Sequence, residues 1–200
     1  MPWFWIVAGP NGAGKTTLVT AGVVRQIAGI ELTSLNADVL TAAILANEPN
    51  APDANLRAAI ETDARVVSCI EARVDFLVET VLSSDKYLDD VDRAIALGFN
   101  IGIIYVGLVK PAASLRRVRQ RYELGGHDVP PDRIVERWSR SIDMLGRFAP
   151  KVHRLFVFDN SRSDGPLLIA RKDGGEITLL TPGRIPAIDA VLLAAGAVTR

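Results

Sequence analysis

Near its start the sequence carries Gly9-Pro-Asn-Gly-Ala-Gly-Lys15-Thr16, which satisfies the pattern G-x-x-x-x-G-K-[ST]. Glycines at this spacing let successive backbone N–H groups converge on a phosphate, a lysine bridges β- and γ-phosphates, and a threonine hydroxyl ligates Mg²⁺. Gly9, Pro10, Asn11, Gly12, Ala13, Gly14, Lys15, Thr16 and Thr17 are therefore the expected ATP-binding set, with Lys15 acting on the transferred group and Thr16 on the metal. The dinucleotide fingerprint is not met, because Thr17 stands where its third glycine belongs. A GTPase-type Asn-Lys-x-Asp and a transporter-type LSGGQ are both absent.

Phosphoryl transfer to a hydroxyl needs a carboxylate to take the proton, and Asn36-Ala37-Asp38 places one at a strand end. Asp38 is the candidate base, with capping of the helix that follows as its competing role. A second carboxylate ends Phe76-Leu-Val-Glu79, with Thr80 after it, and strand ends are where α/β sheets place ligands. Leu155-Phe-Val-Phe-Asp159 also fits four apolar residues and an Asp, but Asn160-Ser161 follow it and favour a strand-end turn.

Positive charge must also close over the transferring group. Eight arginines lie between positions 116 and 147. Arg117 and Arg121 share one helix face, and Arg133, Arg137 and Arg140 share another. With Gly125-Gly126 as hinge they make a candidate lid over about residues 112–145, although Glu123, Asp132 and Glu136 offer several of them ordinary local pairs.

The elements that hold these groups alternate, apolar runs of strand length with helical patterns, which predicts an α/β fold with a mostly parallel sheet between helical layers. Expected strands are Trp3 to Ala8, Leu32 to Leu35, Phe76 to Thr80, Asn100 to Val109 and His153 to Phe158. Expected helices run from Lys15 to about Ile27, from Val39, over Pro52 to Asp75 and Asp85 to Leu97, and from Pro111 and Pro130-Pro131. A hairpin, Leu167 to Lys172 with Glu176 to Leu180, and a helix of about Pro186 to Ala195 complete a single domain over 1–200. Cys69 falls within a helical pattern as a core residue.

Composition narrows the function classes. The 200 residues balance 23 Lys+Arg against 23 Asp+Glu, so there is no general attraction to nucleic acid or anionic membrane. Tyr122 and Trp138 are the only aromatics in the arginine-rich stretch, which weakens a nucleic-acid reading further. One cysteine and two separated histidines, His127 and His153, make neither a disulfide framework nor a metal cluster. Met1 to Ala8 lacks a basic n-region and Ile101 to Val109 is too short to span a bilayer, so a cytoplasmic protein is expected. Neutrality is a cancellation: residues 38–92 carry 12 acidic and 4 basic groups, and 110–154 carry 11 basic and 5 acidic.

Taken in order, Ala8-Gly-Pro-Asn-Gly-Ala-Gly-Lys-Thr-Thr17, Asn36-Ala-Asp38, Phe76-Leu-Val-Glu-Thr-Val-Leu-Ser-Ser84, Tyr105-Val-Gly-Leu, Gly125-Gly-His-Asp-Val-Pro130, the Arg137 to Ser141 helix and Phe158-Asp-Asn-Ser161 resemble the zeta-toxin-like P-loop kinases, over about residues 3–161. The resemblance implies an adenylate-kinase-like P-loop fold with a five-stranded parallel core. By it Lys15 and Thr16 hold ATP and Mg²⁺, and Asp38 is the base. Asn36, Glu79 and Thr80 belong to the acceptor pocket, while Arg121 and Arg137 contact phosphates. It implies transfer to a small hydroxyl acceptor, of which UDP-N-acetylglucosamine is the toxin example, and an antitoxin-like protein partner. Glu136 stands where many relatives carry another arginine, and His127 comes with the lid motif as a hinge hydrogen bond. The rival expectation is an ATP-binding regulatory module or slow NTPase acting through a protein partner.

Overall fold

The computed structural model describes residues 1–123 and 129–199. Gly125, Gly126 and His127, the expected hinge, lie outside the described residues. Five parallel strands, β1 (Trp3–Ala8), β2 (Thr33–Asn36), β3 (Phe76–Thr80), β4 (Asn100–Gly107) and β5 (Arg154–Asp159), are ordered β2-β3-β1-β4-β5. The sheet then continues through β6 (Leu167–Asp173), antiparallel to β5, and β7 (Thr178–Leu179), antiparallel to β6. A last short strand, β8 (Val198–Thr199), runs parallel to β7. The expected hairpin is therefore β6 and β7, with a second arm of only two residues, and it extends the main sheet.

Strand periodicity divides the interior into two cores. Phe4, Ile6, Ile101, Ile103 and Tyr105 face one side of the sheet with Val66, Ile70, Leu145 and Phe148 from the helices. The alternate residues Trp5, Val7, Ile104 and Val106 face the other with Leu18 and Val24. This is why the middle strands read as unbroken apolar runs: both faces are covered.

The helices are α1 (Lys15–Thr20), α2 (Val23–Ala28), α3 (Ala37–Asn47), α4 (Ala54–Ala72), α5 (Leu88–Ala96), α6 (Pro111–Glu123), α7 (Pro131–Phe148) and α8 (Pro186–Ala194). The single helix expected from Lys15 to Ile27 is two. Gly22 takes φ 75°, a left-handed conformation that glycine adopts at little cost, and the chain restarts there as α2. Thr20 Oγ1 adds to the break by donating back to the Thr16 and Thr17 carbonyls.

Candidate functional site

The site lies at the C-terminal ends of β1, β2 and β3. Gly9, Gly12 and Gly14 have φ of 140°, 71° and 96°. Close approach also demands glycine here: a β-carbon on Gly9 would collide with the Val106 carbonyl, and one on Gly14 would sit 2.5 Å from Asn160 Nδ2. The loop closes on Lys15, whose ammonium donates to the carbonyls of Gly9 at 2.8 Å and Pro10 at 3.2 Å. Burial pushes Lys15 down from the usual lysine range to about 8; the charges of Glu79 and Asp38 oppose that shift and Arg121 reinforces it.

Register explains how the carboxylates arrive. Glu79 pairs with Val7 on one side and Asn36 on the other, so the ends of three strands meet around it. Thr16 Oγ1 donates to Glu79 Oε1 at 2.5 Å, putting two hard oxygens side by side at the start of α1. Asn36 is the cap of α3: its Oδ1 accepts from the Asp38 N–H at 2.8 Å. Asp38, one residue into the first turn, is exposed and does not serve as that cap. Asp159 goes elsewhere, buried with Arg184 Nε at 2.6 Å and closing a turn onto the Ser161 N–H, which bears out the strand-end reading.

A cavity of about 760 Å³ joins these groups. It is lined by the loop, by Asn36, Asp38, Glu79 and Thr80, and by Arg117, Arg121 and Arg137. Of the two arginine faces, α6 thus contributes Arg117 and Arg121, whereas α7 contributes Arg137 alone. Arg133 and Arg140 both pair with Glu136, at 3.5 Å and 2.6 Å. Neither Arg121 nor Arg137 has a carboxylate partner among the described residues.

Sequence reasoning placed Arg117 on the lid face and Asn160 in a strand-end turn without foreseeing their support of the loop, and it did not single out Lys86 or Tyr87. Arg117 supports the phosphate loop from behind, donating to the Gly12 carbonyl at 3.4 Å and the Asn160 carbonyl at 2.7 Å, and Asn160 Nδ2 donates to the Ala13 carbonyl at 2.8 Å. Lys86 and Tyr87 line the cavity as well, with Lys86 paired to Asp63 at 2.5 Å and lying over the Tyr87 ring. The contacts of Arg117 with the loop and turn, of Asn160 with Ala13 and of Lys86 with Asp63 join segments distant in sequence, so only the folded chain shows them.

The wall after β3 is held under strain. Leu82, buried, has φ 55°, which costs a residue with a β-carbon about 1–3 kcal/mol. Its N–H donates to Thr80 Oγ1, Ser141 Oγ donates to the Val81 carbonyl at 2.6 Å, and the Tyr105 hydroxyl stands 3.0 Å from Ser141 Oγ. Burial pushes the Tyr105 phenol above its usual range. Ser141→Ala leaves both the Val81 carbonyl and the Tyr105 hydroxyl without this partner, and is expected to lower unfolding free energy by about 2 kcal/mol in urea titrations.

A family model described as "Zeta toxin" matches residues 1–164. None of the curated proteins matches the chain. Among solved structures it is similar to a chain of the native AvrRxo1-ORF1:-ORF2 complex, at 19% identity and TM-score 0.70 over 96% of this chain and 64% of that one. The AvrRxo1-ORF1:-ORF2 structure with ATP matches at 20% identity and TM-score 0.67, over 90% of this chain and 61% of that one. The PezAT chromosomal toxin–antitoxin system of Streptococcus pneumoniae matches at 16% identity and TM-score 0.64, over 98% and 85%. The chain thus spans under two thirds of the AvrRxo1 chains it matches, and at these identities the likeness is one of fold. Among the described residues no helix is long and apolar enough to cross a membrane, and no group of three or more His, Cys, Asp or Glu is placed to hold a metal.

Proposed function

The chain belongs to the zeta toxin family, and from that premise we propose that it is an ATP-dependent phosphotransferase that moves the γ-phosphoryl group of ATP to a hydroxyl of a small molecule, a nucleotide sugar such as UDP-N-acetylglucosamine being the leading acceptor class. The observation that carries the reading is the single cavity in which the glycine loop, the Asp38 carboxylate and two arginines that have no carboxylate partner among the described residues come together.

In this reading the loop N–H groups and Lys15 bind the ATP phosphates, and Arg121 and Arg137 neutralise charge on the transferring group. Asp38 accepts the acceptor hydroxyl's proton as its oxygen bonds to the γ-phosphorus and the bond to the ADP oxygen breaks. Asn36, Glu79 and Thr80 orient the acceptor. The Thr16 hydroxyl suits a small hard cation, so it would hold Mg²⁺, which would supply charge neutralisation to the phosphates. An antitoxin-like protein partner is part of the proposal, supported by the assemblies in which the similar chains were solved.

ATP affinity should depend on pH through Lys15. The free protein keeps Lys15 charged below about 8. Phosphates favour the charged form, so above that value binding must take up a proton. Affinity is expected to be level at lower pH and to fall by up to about tenfold per pH unit above it, measured with a fluorescent ATP analogue. A level profile through both ranges would count against a buried Lys15 at the phosphates.

The function itself is tested by incubating the protein with γ-labelled ATP and a panel of UDP-sugars, nucleosides and small alcohols, then separating the products. Label on an acceptor is the expected result. Label found only as free phosphate would replace this reading with that of a slow NTPase or regulatory module.

A further inference from the structure

The segment 165–199 lies beyond the residues that the family model covers, yet it reaches the phosphate loop through an unbroken chain of contacts. Its anchor is Arg184, which donates from Nε to Asp159 Oδ2 at 2.6 Å; the Asp159 side chain is fully buried and that of Arg184 is 27% exposed. The other Asp159 oxygen, Oδ1, accepts from the Ser161 N–H at 2.9 Å and so shapes the turn at the end of β5. Within that turn Asn160 is held at both ends. Its N–H donates to the Gly107 carbonyl at 3.0 Å and its carbonyl accepts from Arg117 Nη2. Its side-chain amide is then aimed at the Ala13 carbonyl, so tightly that Gly14 leaves no room for a β-carbon.

The same segment also presses on the strand beside the loop. Ile185 and Ile188 pack against Gly107, where an added β-carbon would meet their Cδ1 atoms at 2.9 Å and 2.7 Å, and the neighbouring Val106 carbonyl abuts Gly9. Arg184 is itself fixed, because Asp189 Oδ2 accepts from the N–H of the preceding Gly183 at 2.6 Å.

We infer that the C-terminal segment positions the phosphate loop, with Arg184 as the positioning residue acting through the turn Asp159-Asn160-Ser161. Arg184 touches no nucleotide in this scheme. It orients Asp159, Asp159 sets the turn, and Asn160 holds the carbonyl of Ala13 so that the loop N–H groups face inward before ATP arrives. An unpaired buried carboxylate would relax the turn toward water and release Asn160. The inference rests on the reading of the loop as an ATP site, and the two can be separated by experiment.

The test compares the wild-type chain with Arg184→Gln by ATP-analogue binding and by amide hydrogen exchange. Arg184→Gln is expected to weaken ATP binding about tenfold, the worth of one hydrogen bond made to a charged group. It should speed exchange at residues 9–16 and 159–161 while α4 and β3 keep their protection. The double variant Asp159→Asn/Arg184→Gln, which removes the buried charge and keeps an amide pair, should recover most of the affinity. Unchanged binding and exchange at the loop in Arg184→Gln would overturn the inference, as would faster exchange spread evenly over the chain. Should Arg184→Gln not fold, Arg184→Lys, which keeps a charge but not the guanidinium fork, is judged by the same criteria. A wild type that binds no ATP would sink the functional reading instead, and the exchange pattern would still decide whether Arg184 governs the loop.

Discussion

Asp38→Asn is expected to bind ATP as the wild type does and to transfer phosphoryl groups about 10³-fold more slowly, within the range a general base contributes. The substitution is nearly isosteric, so it removes a proton acceptor without opening space. Its meaning depends on whether Asp38 serves the helix instead, and the capping geometry answers that. Asn36 Oδ1 already accepts from the Asp38 N–H, so α3 has a cap one residue before its first turn begins. Asp38 still favours the helix through its charge near the N-terminus, an exposed effect of a few tenths of a kcal/mol to about 1. Single-turnover transfer at saturating ATP, with thermal unfolding alongside, separates the two roles. Full turnover by Asp38→Asn would end its assignment as base; a large loss of stability at unchanged chemistry would return it to the helix.

What the sequence made legible was local. Phe76 to Thr80 reads as a strand and is one to the residue. The glycine loop lies between a strand and a helix as its mechanism requires, and Asn36 to Asp38 opens α3 beside it. Periodicity and caps act within a few residues, so they survive in a bare sequence. Gly22 shows the limit even there: Leu18, Val19 and Val23 keep helical spacing across the break, and only the glycine's backbone freedom signals it. Choices between equivalent candidates needed three dimensions. Asp159 and Glu79 both end apolar strands, but register brings Glu79 to Thr16 while Arg184, 25 residues further on, claims Asp159. Spacing likewise put Arg133, Arg137 and Arg140 on one face without saying which would reach the cavity. Glu136 decides it by occupying the outer two.

That partition sets the second large effect, Arg137→Ala, which is expected to lower the rate of transfer by about 10³, the lower end of what an arginine acting on a transferring phosphoryl group supplies. The case rests on how rigidly α7 presents this one side chain. Trp138 Nε1 donates to the Leu108 carbonyl at 3.0 Å, Arg140 Nε to the Ser83 carbonyl at 3.1 Å and Ser141 Oγ to the Val81 carbonyl. The helix is thus tied both to the segment just after β4 and to the wall after β3, and Arg137 lines the cavity from between those ties. Such preorganisation lets a charge act on the transition state with little reordering, which is where electrostatic catalysis gains most. Arg137→Lys keeps the charge but loses the planar fork, so it should fall between wild type and Arg137→Ala. Arg119, exposed and paired with Glu123 at 3.3 Å, provides the control: Arg119→Ala should transfer at the wild-type rate. In the proposed mechanism the arginine acts mainly on charge that develops during transfer, so kcat should fall far more than ATP affinity does. An Arg137→Ala variant that loses affinity and keeps kcat would recast the residue as a ground-state phosphate contact, leaving Arg121 as the group that meets the transferring phosphoryl.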